Sequence, residues 1–283
     1  MLKDKIIDGK KVAKEIEAEL KSEVESLKED DIVPGLSVIL VGDDPASEVY
    51  VSYKEKACKR VGINSEVINL PGDITEQGLL KEVDRLNNDN QVDGILVQLP
   101  LPDQIDERKV IKAISPLKDV DGFHPVNVGD LVTSGDGITP CTPAGIMELL
   151  ARYNFDLEGK DGVIVGRSNI VGKPMAHLLL QENVTVTVCH SRTKDLKAKT
   201  SQADILVAAV GRANFITADM VKEDAIVIDV GINRQEDGLV GDVEFEAVKD
   251  KVKAITPVPG GVGPMTIASL LKNTLETCRK RRG

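Results

Sequence analysis

Apolar residues recur at three- to four-residue steps through Val12, Ile16, Leu20, Val24 and Leu27, which predicts an amphipathic helix early in the chain. Before it, residues 5–7 read as a short strand closed by Asp8-Gly9. The apolar run 36–41 predicts a strand, and residues 43–62 after it predict a helix. Asp44 suits the N-cap, Pro45 the first turn and Gly62 the C′ stop. Next come a strand over 63–70, ended by Pro71-Gly72, and a helix over 75–87. Residues 94–99 are almost continuously apolar, as in a strand buried in a parallel sheet. Their polar member, Gln98, falls near the C-terminal end, and Pro100 and Pro102 stop the run. Residues 106–114 predict a further helix. Strands alternating with helices imply right-handed βαβ units on a parallel sheet.

Turn formers dominate residues 115–143, and a domain boundary is expected there. A helix resumes over 145–153. Strands follow over 162–165, 184–188, 204–209, 225–230 and 253–256, with a helix through Leu180 after the first. The strands at 204–209 and 225–230 run into Gly211 and Gly231. The loop P-V-P-G-G-V-G-P precedes a last helix over 265–279.

Composition narrows the function classes. The 283 residues are 41% hydrophobic and 29% charged, as in an ordinary soluble protein of one large or two medium domains. The formal charge of −10 argues against a nucleic-acid or anionic-membrane surface. The basic end, Arg279 to Arg282, reads as a solvated helix terminus. With 2% aromatic residues and no Trp, a site built on stacking has few candidates. The four cysteines are scattered without a C-x-x-C, so neither disulfides nor a zinc site are expected. His124, His177 and His190 are not spaced as ligands, and no metal is expected. The N-terminus lacks a signal-peptide core and no apolar run approaches 18 residues, so a cytoplasmic location is expected.

The candidate chemistry lies on the 43–62 helix. Ser47, Tyr50 and Lys54 are spaced i, i+3, i+7 and share one face, which Val51, Cys58 and Val61 extend as an apolar strip. The plain alternative is a half-buried helix with a snorkelling lysine. Tyr50-x3-Lys54 also matches the pair of short-chain dehydrogenases, but there the glycine turn comes first. Asp121, in V-D-G-F, is placed to accept two hydrogen bonds from an amidine-like heterocycle edge, or to close an Asx turn before Gly122. In the second half, a strand, Gly166-x5-Gly172 and a helix outline a dinucleotide-binding turn. No acid follows the next strand in Cys189-His190-Ser191-Arg192-Thr193. Arg192, Ser191 and Arg167 are instead available for a 2′-phosphate, which favours NADP.

Taken together, S-E-V-Y-V-S-Y-K-E-K-A, D-G-I-L-V-Q-L-P-L-P, K-D-V-D-G-F-H-P-V-N-V-G, P-C-T-P-A-G, V-I-V-G-R-S-N-I-V-G-K-P, C-H-S-R-T and P-V-P-G-G-V-G-P-M-T resemble the bifunctional methylenetetrahydrofolate dehydrogenase/cyclohydrolases over nearly the whole chain. The resemblance implies two α/β lobes with a cleft between them. Residues 1–140 with the helix 265–283 would form a folate-binding catalytic domain with a parallel sheet, the C-terminal helix packing back on this first lobe. Residues 141–264 would form a Rossmann NADP-binding domain. The implied activity is NADP-dependent oxidation of methylenetetrahydrofolate and hydrolysis of the methenyl product to formyltetrahydrofolate, in a homodimer.

By motif match, Lys54 is the catalytic lysine, Tyr50 stacks on folate beside Val51, and Gln98 tunes Lys54. Asp121 anchors the pterin edge and Ser47 supports the site. Leu99, Pro100, Pro259, Gly260 and Gly261 complete the implied substrate set. The implied cofactor set is Gly166, Arg167, Ser168, Ile170 and Gly172, then His190, Ser191, Arg192 and Thr193, then Gly211, Gly231 and Ile232. A monofunctional relative, a shikimate dehydrogenase-like reductase and a catalytically silent nucleotide sensor are the alternatives.

Overall fold

The predicted first helix is α1, Gly9–Glu29, and Val12, Ile16, Leu20 and Val24 on its apolar stripe are all buried. In a computed structural model, which describes residues 5–236 and 238–282, the chain divides into two units. One holds Lys14–Cys141 and the chain from Ile267 onward; the other holds Thr142–Thr266 and the chain up to Ala13.

The first of these units is built on a three-stranded parallel sheet in the order β2-β1-β3. β1 (Gly35–Val41) is central and buried at every position, which explains its nearly continuous apolar run, Ser37 being the one polar member. β2 (Asn64–Leu70) is an edge strand with a mixed pattern, and β3 (Gly94–Val97) is fully buried. Between them lie α2 (Pro45–Val61) and α3 (Glu76–Asn88), followed by α4 (Glu107–Ala113). Asp44 caps α2 by accepting from the Ser47 N–H at 2.8 Å, and Gly62 ends it in the left-handed region at φ 94°. Ile39, Leu79, Val83, Leu86, Ile95 and Val110 form much of the core between sheet and helices.

The 115–143 segment holds more structure than its turn formers predict. His124 Nδ1 accepts from Val126 N–H and Pro125 opens α5 (Pro125–Thr133). A proline at N1 starts a helix, so the turn signal was a helix start. α6 (Cys141–Arg152) likewise begins four residues before the expected helix.

The other unit carries a five-stranded parallel sheet in the order β10-β7-β6-β4-β5. Its strands are β4 (Asp161–Val165), β5 (Thr185–Cys189), β6 (Ile205–Ala208), β7 (Ile226–Asp229) and β10 (Ala254–Ile255). The chain steps from β4 outward to β5, then back to β6 on the other side of β4. That reversal is a topological switch point, beyond whose strand ends open α/β sheets bind ligands. α7 (Gly172–Gln181) connects β4 to β5, and α8 (Leu196–Thr200) follows β5. A small antiparallel pair, β8 (Asn233–Gln235) and β9 (Gly238–Val240), and the turn α9 (Phe245–Val248) were not foreseen. The expected strand at 5–7 is a single parallel bridge, Ile6 to Ile255.

The last helix is α10, Val262–Arg282, and its later part packs in the first unit. Asn273 Nδ2 donates to Val120 O at 2.8 Å and Thr139 O at 3.0 Å. The basic end is not simply solvated. Arg281 and Arg282 both pair with Asp93, a fully buried carboxylate, at 2.5 and 2.9 Å. A buried acid needs such partners, and two guanidinium groups supply them.

Candidate functional site

Helix α2 leaves β1 with Ser47, Val51, Ala57, Cys58 and Val61 buried. Tyr50 and Lys54, one turn apart, therefore lie at the margin of that face: Tyr50 is exposed and Lys54 half-buried. Lys54 Nζ donates to Gln98 Oε1 at 3.0 Å, and Gln98 Nε2 donates to Leu99 O at 2.8 Å. An ammonium on one side and a carbonyl on the other fix which way the amide points. Gln98 stands one residue beyond β3, earlier than the expected strand end. Its N–H still bonds Ile39 O at 2.9 Å, so it extends the ladder onto the sheet rim.

Asp121 reaches the same rim by a different route. Residues 118–119 run beside β3, with Ile95 N–H donating to Lys118 O at 2.7 Å and a parallel bridge from Ile95 to Asp119. Gly122 then turns the chain at φ 73°, where a Cβ would sit 2.7 Å from Ile138 O and Pro140 N. Asp119 Oδ2 accepts from His124 N–H at 2.7 Å and Asn127 Nδ2 at 2.8 Å, which locks the turn. Burial pushes the Asp121 carboxyl up to about 6, with the Lys54 charge pulling the other way and Asp119 adding to the rise. Burial also raises the Cys141 thiol beside it well above its ordinary value, so this cysteine is an inert wall. Lys54, Gln98 and Asp121 thus come together. Pro259, Gly260 and Gly261 lie in the other unit, where Gly261 N–H closes a turn onto Pro257 O at 2.8 Å.

In the five-stranded sheet, the predicted cofactor residues collect along one edge, past the carboxyl ends of β4 to β7. Gly166 follows β4 at φ 134°, and a Cβ there would lie 2.2 Å from Ala209 O. A Cβ on Gly172 would lie 2.3 Å from Gly166 O. Only glycine fits at either end of this turn, and the exposed Arg167, Ser168 and Ile170 lie between them. Ser168 Oγ accepts from the N–H groups of Val171 and Gly172 at 3.1 and 3.3 Å. Past β5, His190 N–H donates to Thr193 Oγ1 at 2.8 Å and Arg192 N–H to His190 Nδ1 at 3.1 Å. That leaves the Ser191 and Arg192 side chains exposed at the strand end. Gly211 and Gly231 follow β6 and β7, with Ile232 exposed beside them. A steric cradle at a switch point, with a guanidinium one strand away, fits a phosphorylated dinucleotide.

Sequence reasoning missed Asp229 and Asp242, both buried beneath these loops. The signal was a lone acid inside an apolar strand, in I-V-I-D-V-G-I-N, and a second in V-G-D-V. Buried acids are uncommon enough to mark both.

A switch-point sheet with this cradle, joined in one chain to a lysine-bearing α/β unit, defines a dinucleotide-binding α/β protein of two units. The tetrahydrofolate dehydrogenase/cyclohydrolase catalytic-domain model matches residues 7–121, and the NAD(P)-binding-domain model of the same family matches residues 140–282. The chain belongs to the tetrahydrofolate dehydrogenase/cyclohydrolase family. It is 60% identical over 281 residues to the bifunctional protein FolD of Halothermothrix orenii, covering 99% of each chain. Among solved structures, the bifunctional FolD of Campylobacter jejuni superposes with a TM-score of 0.96 at 54% identity, covering 98% of this chain and 99% of that one. The Trypanosoma brucei dehydrogenase-cyclohydrolase, solved with NADP and an inhibitor, superposes at 0.94 with 41% identity over 98% of both.

Proposed function

We propose that this chain oxidises methylenetetrahydrofolate with NADP and hydrolyses the methenyl product to formyltetrahydrofolate, with Lys54 as the proton-exchanging group. The observation that carries the lysine's role is its bond to Gln98 beside the Asp121 carboxyl, in a family named for both activities. NADP, when bound, supplies the hydride acceptor. Gly166, Gly172 and Ser168 would hold its pyrophosphate, and Ser191 and Arg192 its 2′-phosphate.

The chain's own groups divide the remaining work. Tyr50 offers a ring face to the flat folate head. Asp121, when ionised, accepts two hydrogen bonds from the amidine-like pterin edge. Hydride loss leaves a cation, which water attacks. In its neutral amine form, which still donates to Gln98, Lys54 takes a proton from that water, and handing the same proton to the ring nitrogen lets the carbon–nitrogen bond open to the formyl product. Gln98 holds the Nζ where this exchange takes place, and arginine cannot substitute because it stays protonated.

Lys54→Met tests the assignment. Methenyltetrahydrofolate hydrolysis falls by roughly 10²–10⁴-fold while NADPH formation falls less, each followed by its own absorbance. Hydrolysis in the variant near the unmutated rate would leave Lys54 as a binding residue only. We also assign a homodimer, supported by the uncovered edge of β5, where Val188 and the neighbouring α7 residue Leu180 are exposed. A cytoplasmic location fits four cysteines that are all free and buried, and cell fractionation checks it.

A further inference from the structure

Beneath the loops that follow β6 and β7 lie two carboxylates that share seven N–H donors. Asp242 accepts from the backbone N–H groups of Val210, Gly211 and Arg212 at 2.6, 3.0 and 2.8 Å, and from Asn233 Nδ2 at 3.0 Å. Asp229 accepts from the N–H groups of Gly231, Asp242 and Val243 at 3.0, 2.9 and 2.9 Å. Their relative exposures are 0% and 3%, and no Lys or Arg pairs with either among the described residues. Two glycines exist to make room for them. A Cβ on Gly231 would lie 2.2 Å from Asp242 Oδ1, and one on Gly241 1.8 Å from Asp229 Oδ2.

This arrangement has a direction. The amides of residues 210–212 point at Asp242, so they are spent on a carboxylate and do not receive a phosphate. The 2′-phosphate end of the cofactor belongs past β5, at Ser191 and Arg192. A dinucleotide straddling the switch point then lays its other half over the ends of β6 and β7. That half carries the nicotinamide, which is cationic when oxidised and neutral when reduced. Buried charge without a counter-cation is felt strongly through a poorly polarisable medium.

We propose that Asp229 and Asp242 are positioning residues for the nicotinamide half of NADP, and that their negative charge favours its oxidised, cationic form over the reduced one. The inference rests on the cofactor reading above. It gives the two acids an electrostatic role beyond shaping the loops, and biases the site toward taking up the hydride acceptor and releasing NADPH.

Calorimetric titration of the full-length protein with NADP and separately with NADPH, at pH 8, tests it without turnover. In Asp242→Asn the dissociation constant for NADP rises roughly tenfold, while that for NADPH rises about twofold or less. Asn233→Lys, at a half-buried position, keeps both acids and sets a cation against them; it shifts the ratio the same way and covers a failure of Asp242→Asn to fold. Equal weakening of both forms, or no change in either folded variant, overturns the proposal. An unmutated protein that binds neither form overturns the cofactor reading instead.

Discussion

Asp121, which we propose anchors the pterin edge, would serve binding at the expense of stability. Its folded-state carboxyl titrates near 6, above its ordinary value of 3.8. Between those values the folded protein holds a proton that the unfolded chain has lost. The contribution of this carboxyl to stability is therefore full below about pH 4 and is lost as the pH rises through 6. Asp121→Asn cannot ionise and escapes that loss. The variant is expected to melt roughly 2–4 °C higher at pH 7.5, with no such gain at pH 4, while its folate KM rises. A melting temperature lowered equally at both pH values would show that burial does not govern this carboxyl. Ser47, Tyr50 and Lys54 were legible from helical spacing, and Gln98 was placed by a strand end, its use coming only with the family resemblance. Asp229 and Asp242 were not legible, because six of their seven partners are backbone amides, up to 32 residues away, and amides leave no mark in a sequence.

At the scale of elements, α2 was legible to the residue, since Asp44, Pro45 and Gly62 each state a local backbone demand. α5 was hidden by the same logic, because Pro125 reads as a turn until it is seen at N1. The sheet order was not in the chain pattern either: β5 alternates like many strands, yet only the reversal at β4 makes it an edge. That edge carries the dimer assignment. Exposed strand edges with apolar side chains invite pairing with another chain. Light scattering should give twice the chain mass for the unmutated protein at micromolar concentration, and one chain mass for the Leu180→Lys, Val188→Lys double variant. A single-chain mass for the unmutated protein ends that assignment.

For the whole molecule, the strand–helix alternation foretold two α/β portions and the family resemblance a returning last helix, but neither foretold what the return accomplishes. Residues 267–282 complete a unit whose other part ends at Cys141. Arg281 and Arg282 meet a carboxylate at residue 93 that is otherwise left to Gly35 N–H and its neighbours in a fully buried place. Time of synthesis enters here. A ribosome making roughly 5–20 residues per second needs several seconds to tens of seconds to translate residues 142–266. During that interval the stretch 14–141 is on hand with its acid unneutralised and part of its covering helix unmade, whereas the unit containing 142–266 needs nothing made after residue 266. The later-made unit should therefore mature first. Limited proteolysis of stalled nascent chains reads this out: with residue 266 just clear of the exit tunnel, cuts fall within 14–141 and spare 142–266, and protection of 14–141 appears only after residue 282 has emerged. Early protection of 14–141 would mean that the returning helix merely decorates a fold already made.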